Sequence, residues 1–128
     1  MVVGAGIDLV ETHRVRRSLQ RWDGRLVARL MDPPEAARLP AAFDERAEAL
    51  ARAIALKEAA SKALGTGWSR GVRWRDVEVL DGPDVRLRAG AARRAAALGS
   101  PGACAVRLRV QDGLVIGEVW LLGTAATR

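Results

Sequence analysis

The chain has 128 residues, with 21 Lys or Arg against 15 Asp or Glu, so its formal charge is +6 at pH 7. This length suits one domain, and the positive charge points to an anionic partner: nucleic acid, a phosphorylated small molecule or an acidic protein. The single Cys104 excludes an internal disulfide and every cysteine-rich metal site, and since we find no signal peptide and no membrane-spanning run, we expect a cytoplasmic protein.

A β-strand opens the chain. Residues 2–10 alternate and are rich in β-branched side chains, and the glycines among them allow another backbone to approach closely. Asp8 lies near the end of this strand, between Ile7 and Leu9. A carboxylate with apolar neighbours is either a structural aspartate with satisfied hydrogen bonds or a ligand for a cation. The residues themselves leave both interpretations open.

The next segment, residues 11–30, predicts a helix that is weakened at Asp23-Gly24. Arginines recur along it at intervals of three and four residues, so they share one stripe of the helix surface. The arginine stripe consists of Arg14, Arg17, Arg21 and Arg25, with Arg29 continuing it past the glycine. The stripe is either a solvated helix face or a surface for an anionic partner. The second interpretation is supported by the mutual repulsion of like charges in a row, which an anionic partner would relieve. His13, the only histidine, is expected at the surface.

The segment Ile54 to Gly67 carries the most specific pattern. On a helix with about 100° per residue, four polar side chains share one arc, and apolar or alanine side chains occupy the rest. The polar arc consists of Lys57, Glu58, Ser61 and Lys62. Lys57 and Lys62 are the only lysines in a chain that otherwise uses arginine. Gly65-Thr66-Gly67 is expected to end the helix, because glycine adopts the left-handed conformation without steric cost. Spacing alone is also typical of a surface i,i+4 ion pair between Glu58 and Lys62.

The remaining elements predict an α+β fold, a small, mostly antiparallel sheet packed against one long helix and two shorter ones. Residues 32–34 break the chain, and residues 35–39 suit one or two helical turns. The later expected elements are a helix over 44–64, strands over 72–80 and 85–88, a helix over 89–98, and hairpin strands 103–110 and 114–122 joined across Asp112-Gly113. In the strand over 72–80, Asp76 and Glu78 should face outward. Cys104 should be a buried structural thiol.

Taken together, these motifs resemble the holo-acyl-carrier-protein synthases, the small group of 4′-phosphopantetheinyl transferases. The matching segments are Gly6-Ile-Asp-Leu-Val-Glu11, Lys57-Glu-Ala-Ala-Ser-Lys62, and Gly65-Thr-Gly67 followed by Val77-Glu-Val79. The similarity covers about residues 3–80. It implies a single phosphopantetheinyl-transferase-like domain over residues 1–128, whose residues 123–128 we expect to be a frayed tail. It also implies transfer of 4′-phosphopantetheine from coenzyme A to a serine of an apo acyl carrier protein, with release of 3′,5′-ADP.

The resemblance implies roles for individual residues. Asp8 and Glu58 would hold a Mg²⁺ ion that bridges the pyrophosphate of coenzyme A, and Lys62 would neutralise charge on the leaving group. Glu58, or a metal-bound water, could accept the serine proton. The residues expected to bind coenzyme A are Lys57, Ser61, Lys62, Gly65, Thr66 and Gly67. The residues expected to bind the acidic helix of the carrier protein are Arg14, Arg17 and Arg21. Family members of this size resemble compact homotrimers with sites at subunit interfaces.

Three positions depart from the family pattern at the places that hold the nucleotide end of coenzyme A. Ala53 stands where the family has an arginine, and Asp44-Glu45 stand where it has basic residues. The late strand reads Val106-Arg-Leu-Arg-Val110 and lacks the family's histidine. Arg107 and Arg109 could substitute as phosphate ligands, since alternation puts both on one face of the strand.

Two alternatives to an active transferase follow from these departures and from the charge. One is a repurposed homologue that binds a carrier protein, or a substrate attached to it, without transferring the group. The other is a basic nucleic-acid binder, which the arginine stripe alone would allow. No nucleic-acid-binding motif accompanies the stripe, and four Trp and one Phe offer little stacking surface.

Overall fold

The structure is a computed structural model that describes residues 1–124, in which the chain forms five β-strands, four α-helices and one 3₁₀ turn. The strands are β1 (Val2–Glu11), β2 (Val77–Leu80), β3 (Asp84–Leu87), β4 (Cys104–Gln111) and β5 (Leu114–Leu122). The helices are α1 (Thr12–Leu30), α2 (Pro33–Ala36), α3 (Phe43–Ala63) and α4 (Ala89–Ala97), and the 3₁₀ turn is Trp74–Asp76. The α+β class is confirmed. One long helix was expected, but the structure has two, since α1 has 19 residues and α3 has 21.

The strands form two separate antiparallel sheets. One has the order β1-β5-β4, and the other pairs β2 with β3. In the larger sheet Asp8 of β1 lies opposite Gly117 of β5. The predicted hairpin is confirmed, since Asp112 and Gly113 have φ values of 51° and 75°, the positive values that its two-residue turn requires.

Glycines in β1 and β5 let the larger sheet lie directly on α3. A Cβ atom at Gly4 or Gly6 would lie 2.0 Å from a carbonyl oxygen of α3, and one at Gly117 would lie 2.9 Å from α3 backbone atoms. The α3 residues at these three contacts are Ala63, Ala59 and Ala55, respectively. They are one turn apart, so a row of alanines meets a row of glycines. The predicted close backbone approach is therefore present, and it fixes the position of β1 relative to α3.

We expect the Gly6→Ala variant to lose about 1 to 3 kcal/mol of unfolding free energy, because its methyl group would overlap backbone that cannot move without shifting α3. Gly24→Ala is the matched control. No atom lies within 4 Å of a Cβ at Gly24, so alanine there should be neutral or stabilising by up to about 1 kcal/mol. Urea unfolding of both variants measures the difference. Equal stability of the two would contradict the packing described.

The long helices bury the side chains that form the core. Eleven residues of α3 are buried, so this helix is enclosed along most of its length. The buried residues of α1 are Val15, Leu19, Val27 and Leu30. The expected weakening of α1 is present one residue early, since Trp22 has non-helical φ and ψ of −133° and 15°. None of the helices in residues 1–124 is long and apolar enough to cross a membrane.

The strand predicted over residues 72–80 is wrong in its first half. Residues 74–76 form the 3₁₀ turn, and only residues 77–80 are a strand. The Trp74 ring stacks on Trp68 with 4.1 Å between ring centroids, and its carbonyl accepts a hydrogen bond from Lys57. These contacts accompany the turn and hold Trp74 against the core.

The prediction that Asp76 and Glu78 face outward is also wrong, since they are only 2% and 7% exposed. Asp76 Oδ2 accepts the backbone N–H of Arg73 at 3.0 Å. Glu78 lies between Arg38 and Arg86, at 3.0 and 3.5 Å. A local partner of Asp76, and one local and one distant partner of Glu78, therefore compensate the burial of these carboxylates.

The end of the described chain is held in place. The N–H of Gly123 donates to the Met1 carbonyl at 2.7 Å, and that of Thr124 donates to the Gly99 carbonyl at 3.3 Å. These are the first two residues of the expected tail over 123–128. Residues 125–128 lie outside the described part of the chain.

Cys104 is half-buried in β4, and burial, with a smaller effect from Asp84, raises the pKa of its thiol to about 11 from an ordinary 9.0. We expect the pH at half-maximal alkylation rate to lie near 11 in the folded protein and near 9 in urea. Between these values the unfolded chain binds fewer protons, so the Cys104 contribution to stability is complete below pH 9 and declines as pH rises toward 11. A midpoint near 9 in the folded protein would contradict the burial.

Candidate active site

Asp8 and Lys62 form an ion pair where β1 meets α3. Nζ of Lys62 donates to Oδ1 of Asp8 at 2.9 Å and to the Ile7 carbonyl at 3.0 Å. The Lys62 side chain is 50% exposed and that of Asp8 is 20% exposed. An exposed pair contributes at most about 1 kcal/mol to stability. The ion pair therefore contributes little to the stability of the fold, and its two groups remain accessible to a ligand.

Glu58 faces the same region as Lys62. It precedes Lys62 by one turn of α3, which places the two side chains about 40° apart around the helix. Glu58 is half-buried, and within residues 1–124 its carboxylate takes part in no ion pair or hydrogen bond. It is an available acceptor next to an ammonium group.

The packing of the sheet on α3 places Asp8 beside Glu58. Gly6 lies against Ala59, and the β5 glycine that pairs with Asp8 lies against Ala55. Asp8 is on the same side of β1 as Gly6, because side chains alternate along a strand. Asp8, which pairs with Lys62, is therefore level with the turn of α3 that carries Glu58.

Asp8 and Glu58 are the two side chains of this region that could act as metal ligands. Carboxylate oxygens are ligands that Mg²⁺ prefers, and this ion usually completes its octahedron with water and substrate phosphate. In the part of the chain from 1 to 124, no group of three or more His, Cys, Asp or Glu side chains is arranged to hold a metal ion. An ion held by Asp8 and Glu58 would therefore need phosphate oxygens and water as further ligands.

Only two of the four residues in the polar arc predicted on α3 are accessible, because Lys57 and Ser61 are buried. Nζ of Lys57 donates to Oε1 of Glu35 at 2.9 Å, to the Trp74 carbonyl at 3.2 Å and to the Val77 carbonyl. Burial lowers the pKa of Lys57 below 10.5, and the neighbouring Glu35 carboxylate opposes that shift. The Lys57 ammonium is thus used inside the fold, where it joins α3 to α2 and to the start of β2.

Ser61 and the Gly65-Thr66-Gly67 turn also differ in accessibility. Ser61 is 1% exposed, and its hydroxyl donates to the Glu58 carbonyl at 2.7 Å. Gly65 and Gly67 have φ values of 74° and 57°, and the predicted glycine end of the helix is confirmed. The turn is at least partly exposed, so its backbone can contact a ligand beside Lys62.

All five members of the arginine stripe are exposed. Arg14 is 78% exposed, and its Nε lies 3.6 Å from Glu11. His13 is 63% exposed, as expected for a surface residue, and is 3.4 Å from the same carboxylate. The stripe is a solvent-facing cationic surface that is available to an anionic partner.

The positions that depart from the family pattern are occupied by other interactions. Asp44 pairs with Arg16 of α1. Ala53 is 3% exposed in the core. Its neighbour Arg52 is exposed and lines two clefts of about 300 and 350 Å³. Arg52, the cation next to Ala53 in the sequence, therefore lies at the edge of open clefts.

Arg107 and Arg109 lie on one face of β4, as predicted, and that face is the outer one. Arg107 is opposite Glu118 of β5, which is opposite Ile7 of β1. Ile7 is 57% exposed, whereas Asp8 points toward α3. Within one chain, the two arginines are therefore on the side of the sheet away from Asp8.

Sequence reasoning missed Glu35, which is 5% exposed. Besides pairing with Lys57, it accepts the backbone N–H of Val79 at 2.9 Å through Oε2. Glu35 is 22 residues from Lys57 in the chain, and no spacing rule connects a short helix after two prolines with the middle of a long one. The sequence could have indicated only that Lys57, if buried, would need an acidic partner.

A family model and a sequence relative both indicate that the chain is similar to 4′-phosphopantetheinyl transferases. A family model described as "4'-phosphopantetheinyl transferase superfamily" matches residues 4–116. The holo-[acyl-carrier-protein] synthase of Methylobacterium sp. (strain 4-46) is 48% identical over 106 residues, which are 80% of this chain and 78% of that protein.

Solved structures show the same fold. Holo-[acyl-carrier-protein] synthase from Neisseria meningitidis superposes with a TM-score of 0.83 at 24% identity, covering 95% of this chain and 99% of that one. The Helicobacter pylori synthase, solved in complex with coenzyme A, has a TM-score of 0.75 at 21% identity, covering 92% and 99%. By the family match and the sequence identity, the chain belongs to the holo-acyl-carrier-protein synthase family of 4′-phosphopantetheinyl transferases.

Proposed function

We propose that this chain transfers 4′-phosphopantetheine from coenzyme A to a serine of an apo acyl carrier protein, with Mg²⁺, and releases 3′,5′-ADP. The observation that carries the proposal is the convergence of Asp8, Glu58 and Lys62 where β1 meets α3. The 48% identical relative, a holo-[acyl-carrier-protein] synthase, supports the same reaction. The lone Cys104 and the use of coenzyme A are consistent with a cytoplasmic location, which is part of the proposal.

In the proposed reaction the serine hydroxyl of the carrier attacks the β-phosphorus of coenzyme A. A bond forms between the serine oxygen and the β-phosphorus, and the bond to the oxygen that bridges the two phosphates breaks. Glu58 accepts the hydroxyl proton. Lys62 neutralises charge on the departing 3′,5′-ADP. Asp8 and Glu58 would hold a Mg²⁺ ion, which would supply Lewis-acid stabilisation of the phosphate oxygens.

The coenzyme contacts in the proposal divide by accessibility. Lys62 and the Gly65-Thr66-Gly67 turn are exposed enough to touch the pyrophosphate and the arm. Lys57 and Ser61 were expected to contact coenzyme A but are buried. We assign them an indirect part: Ser61 holds the Glu58 carbonyl, and Lys57 anchors the turn of α3 that presents Glu58.

A homo-oligomer, with a trimer as the expected form, is also part of the proposal. The outer face of the larger sheet exposes Ile7 and Leu9 by 57% and 53%, in cross-strand rows that include Arg107 and Arg109. Exposed apolar side chains that are rimmed by charged ones are typical of an interface. A neighbouring subunit packed there would bring these arginines close to the partner's bound substrate, where they could act as phosphate ligands.

Carrier binding by the arginine stripe gives a prediction. Arg14→Ala and Arg21→Ala should each raise KM for the apo carrier about two- to fivefold at low salt, as expected for loss of an exposed charge contact. The difference from the unmodified chain should shrink in 0.5 M salt, because salt screens exposed charges. Steady-state kinetics at two salt concentrations measure this. Unchanged KM for the carrier in both variants would remove the stripe from the interface.

Calorimetry tests the proposed function against the repurposed-homologue alternative. Coenzyme A should bind in Mg²⁺ and bind much more weakly without it, and Asp8→Asn should abolish the Mg²⁺ dependence. A chain that binds an apo carrier protein but neither coenzyme A nor Mg²⁺ would favour the alternative. A salt-dependent mobility shift with DNA, absent with the carrier, would instead favour the nucleic-acid binder.

A further inference from the structure

Trp22 is the exception to the burial of apolar side chains in α1. It is 48% exposed, whereas the four buried apolar residues of this helix are at most 6% exposed. The backbone of Trp22 is non-helical, so α1 is interrupted at this residue and the indole lies at the surface. About half of this large aromatic side chain thus stays in water in the isolated chain, which indicates a use beyond packing of the core.

Two arginines flank the indole. The guanidinium carbons of Arg21 and Arg25 lie 5.5 and 5.6 Å from the centroid of the Trp22 ring, a distance at which a cation and an aromatic ring attract. Two shallow clefts of about 380 and 410 Å³ adjoin the ring, and both are lined by Trp22. The first also includes Arg14, Arg17, Ser18 and Arg21, and the second includes Arg25, Leu26 and Arg29.

The surface around Trp22 remains strongly cationic. Asp23 is the acidic residue next to Trp22, and Arg46 of α3 donates two hydrogen bonds to it, at 3.0 and 3.2 Å. That carboxylate is therefore already paired and does not neutralise the stripe. The kink divides the stripe into a group before Trp22 and a group after it, with the indole between them.

We propose that Trp22 is the apolar anchor of the carrier-protein docking surface, inserting between two acidic positions of the carrier's helix against an apolar side chain of that helix. This rests on the proposed function, which names the carrier protein as partner. The charge on both sides of the ring is complementary to an acidic helix. Docking would remove water from the two arginine–indole contacts and strengthen them, as in aromatic and arginine hot spots of protein interfaces.

An anionic membrane fits this surface less well. A membrane-binding helix lays a continuous apolar face into the lipid. The apolar face of α1 is buried in the core, so one indole and the partly buried Leu26 would be the only apolar groups of the helix to enter the bilayer. A single ring between cationic groups fits one side chain of a protein partner better.

Direct binding of the full chain to an apo acyl carrier protein, without coenzyme A or Mg²⁺, tests the proposal. Trp22→Ala should weaken the affinity about 10- to 30-fold, the range expected for truncation of an interface anchor. Trp22→Phe should stay within about threefold, since it retains a ring beneath the arginines. Phe43→Ala is the matched control: Phe43 is 38% exposed beneath Arg16, which lies on the side of α1 away from the stripe, and its removal should leave affinity unchanged.

A measurement on the unmodified chain keeps the test independent of the folding of variants. With 5-fluorotryptophan in all four Trp positions, the Trp22 fluorine resonance should shift when the carrier is added, while those of the stacked Trp68 and Trp74 should not. An unshifted Trp22 resonance at saturation, or equal affinity of Trp22→Ala and the unmodified chain, would overturn the anchor. Trp22-dependent binding to vesicles with 30% phosphatidylglycerol, without binding to the carrier, would overturn it in favour of a membrane contact.

The outcomes for the anchor and for the transferase can be told apart. If the chain binds a carrier through Trp22 but transfers no group, the proposed function fails and the anchor stands. If the chain transfers the group and Trp22→Ala has an unchanged KM for the carrier, the anchor fails and the function stands. In the expected case Trp22→Ala raises KM for the carrier about 10- to 30-fold and leaves KM for coenzyme A unchanged.

Discussion

Replacing Lys57 with methionine is expected to lower the free energy of unfolding by about 3 to 5 kcal/mol, the usual effect of removing one partner from a buried ion pair. Methionine approximately fills the space of the lysine chain, so the loss comes from the charge and not from a cavity. Glu35 would be left 5% exposed without its ammonium partner, and two backbone carbonyls would lose a donor. The free energy of unfolding of a domain of this size is about 5 to 15 kcal/mol in total, so the variant should be only marginally stable.

Lys62→Met is the matched control for this experiment. The same substitution, five residues along the same helix, removes a lysine that is 50% exposed. It should change stability by no more than about 1 kcal/mol, while it lowers the rate of group transfer. Urea unfolding and steady-state rates of both variants check the contrast. A stable Lys57→Met chain with weak coenzyme A binding would instead give Lys57 the direct coenzyme contact first expected from the sequence.

Asp8→Asn and Glu58→Gln are each expected to lower kcat/KM for transfer by at least about 100-fold, with little change in stability. Each substitution removes a carboxylate charge from the proposed Mg²⁺ site while keeping the size of the side chain. Glu58→Gln also removes the group proposed to accept the serine proton. Initial rates of 3′,5′-ADP release, at several Mg²⁺ concentrations, measure the effect.

Glu48→Gln provides the control on the same helix. Glu48 is exposed on α3 and lines a cleft with Arg52, outside the junction of β1 and α3. Its substitution should leave kcat/KM within about twofold of the unmodified chain, as expected for a surface change. Rates for Asp8→Asn and Glu58→Gln that also stay within this range would mean that the chemistry takes place elsewhere.

The elements with strong local signals could be predicted from the sequence. β1, α3 and the hairpin of β4 and β5 follow from alternation, helical periodicity and the Asp112-Gly113 turn. The convergence of Asp8 with Glu58 and Lys62 was available only through the resemblance, because 50 residues separate the two segments. In the structure it results from glycines in β1 that let the strand lie on the alanines of α3.

The buried charges could not be predicted in this way. A helical wheel separates polar from apolar residues, but it does not show that a polar residue has a partner elsewhere in the chain. Lys57 was therefore placed on an exposed arc, although Glu35 of α2 pairs with it in the interior. Glu78 was placed outward for the same reason, although Arg38 and Arg86 enclose it. Glu35 is 22 residues from Lys57 and Arg38 is 40 residues from Glu78, so no local rule finds these two pairs.

The interruption of α1 shows a similar limit. The sequence predicted a weak point at Asp23-Gly24, and the backbone departs from the helix at Trp22. The pairing of Asp23 with Arg46 of α3 holds the residue after the kink in place. Sequence periodicity gave the arginine stripe, but only the structure shows that the stripe is divided by an exposed indole.

The most direct test of the proposed transferase activity is the intact mass of an apo acyl carrier protein after incubation with this chain, coenzyme A and Mg²⁺. We expect a mass gain of one phosphopantetheine arm with the unmodified chain and with Glu48→Gln, and no gain in the same time with Glu58→Gln. No gain with the unmodified chain across several apo carriers, while it is folded and binds one of them, would contradict the transferase and favour a repurposed homologue.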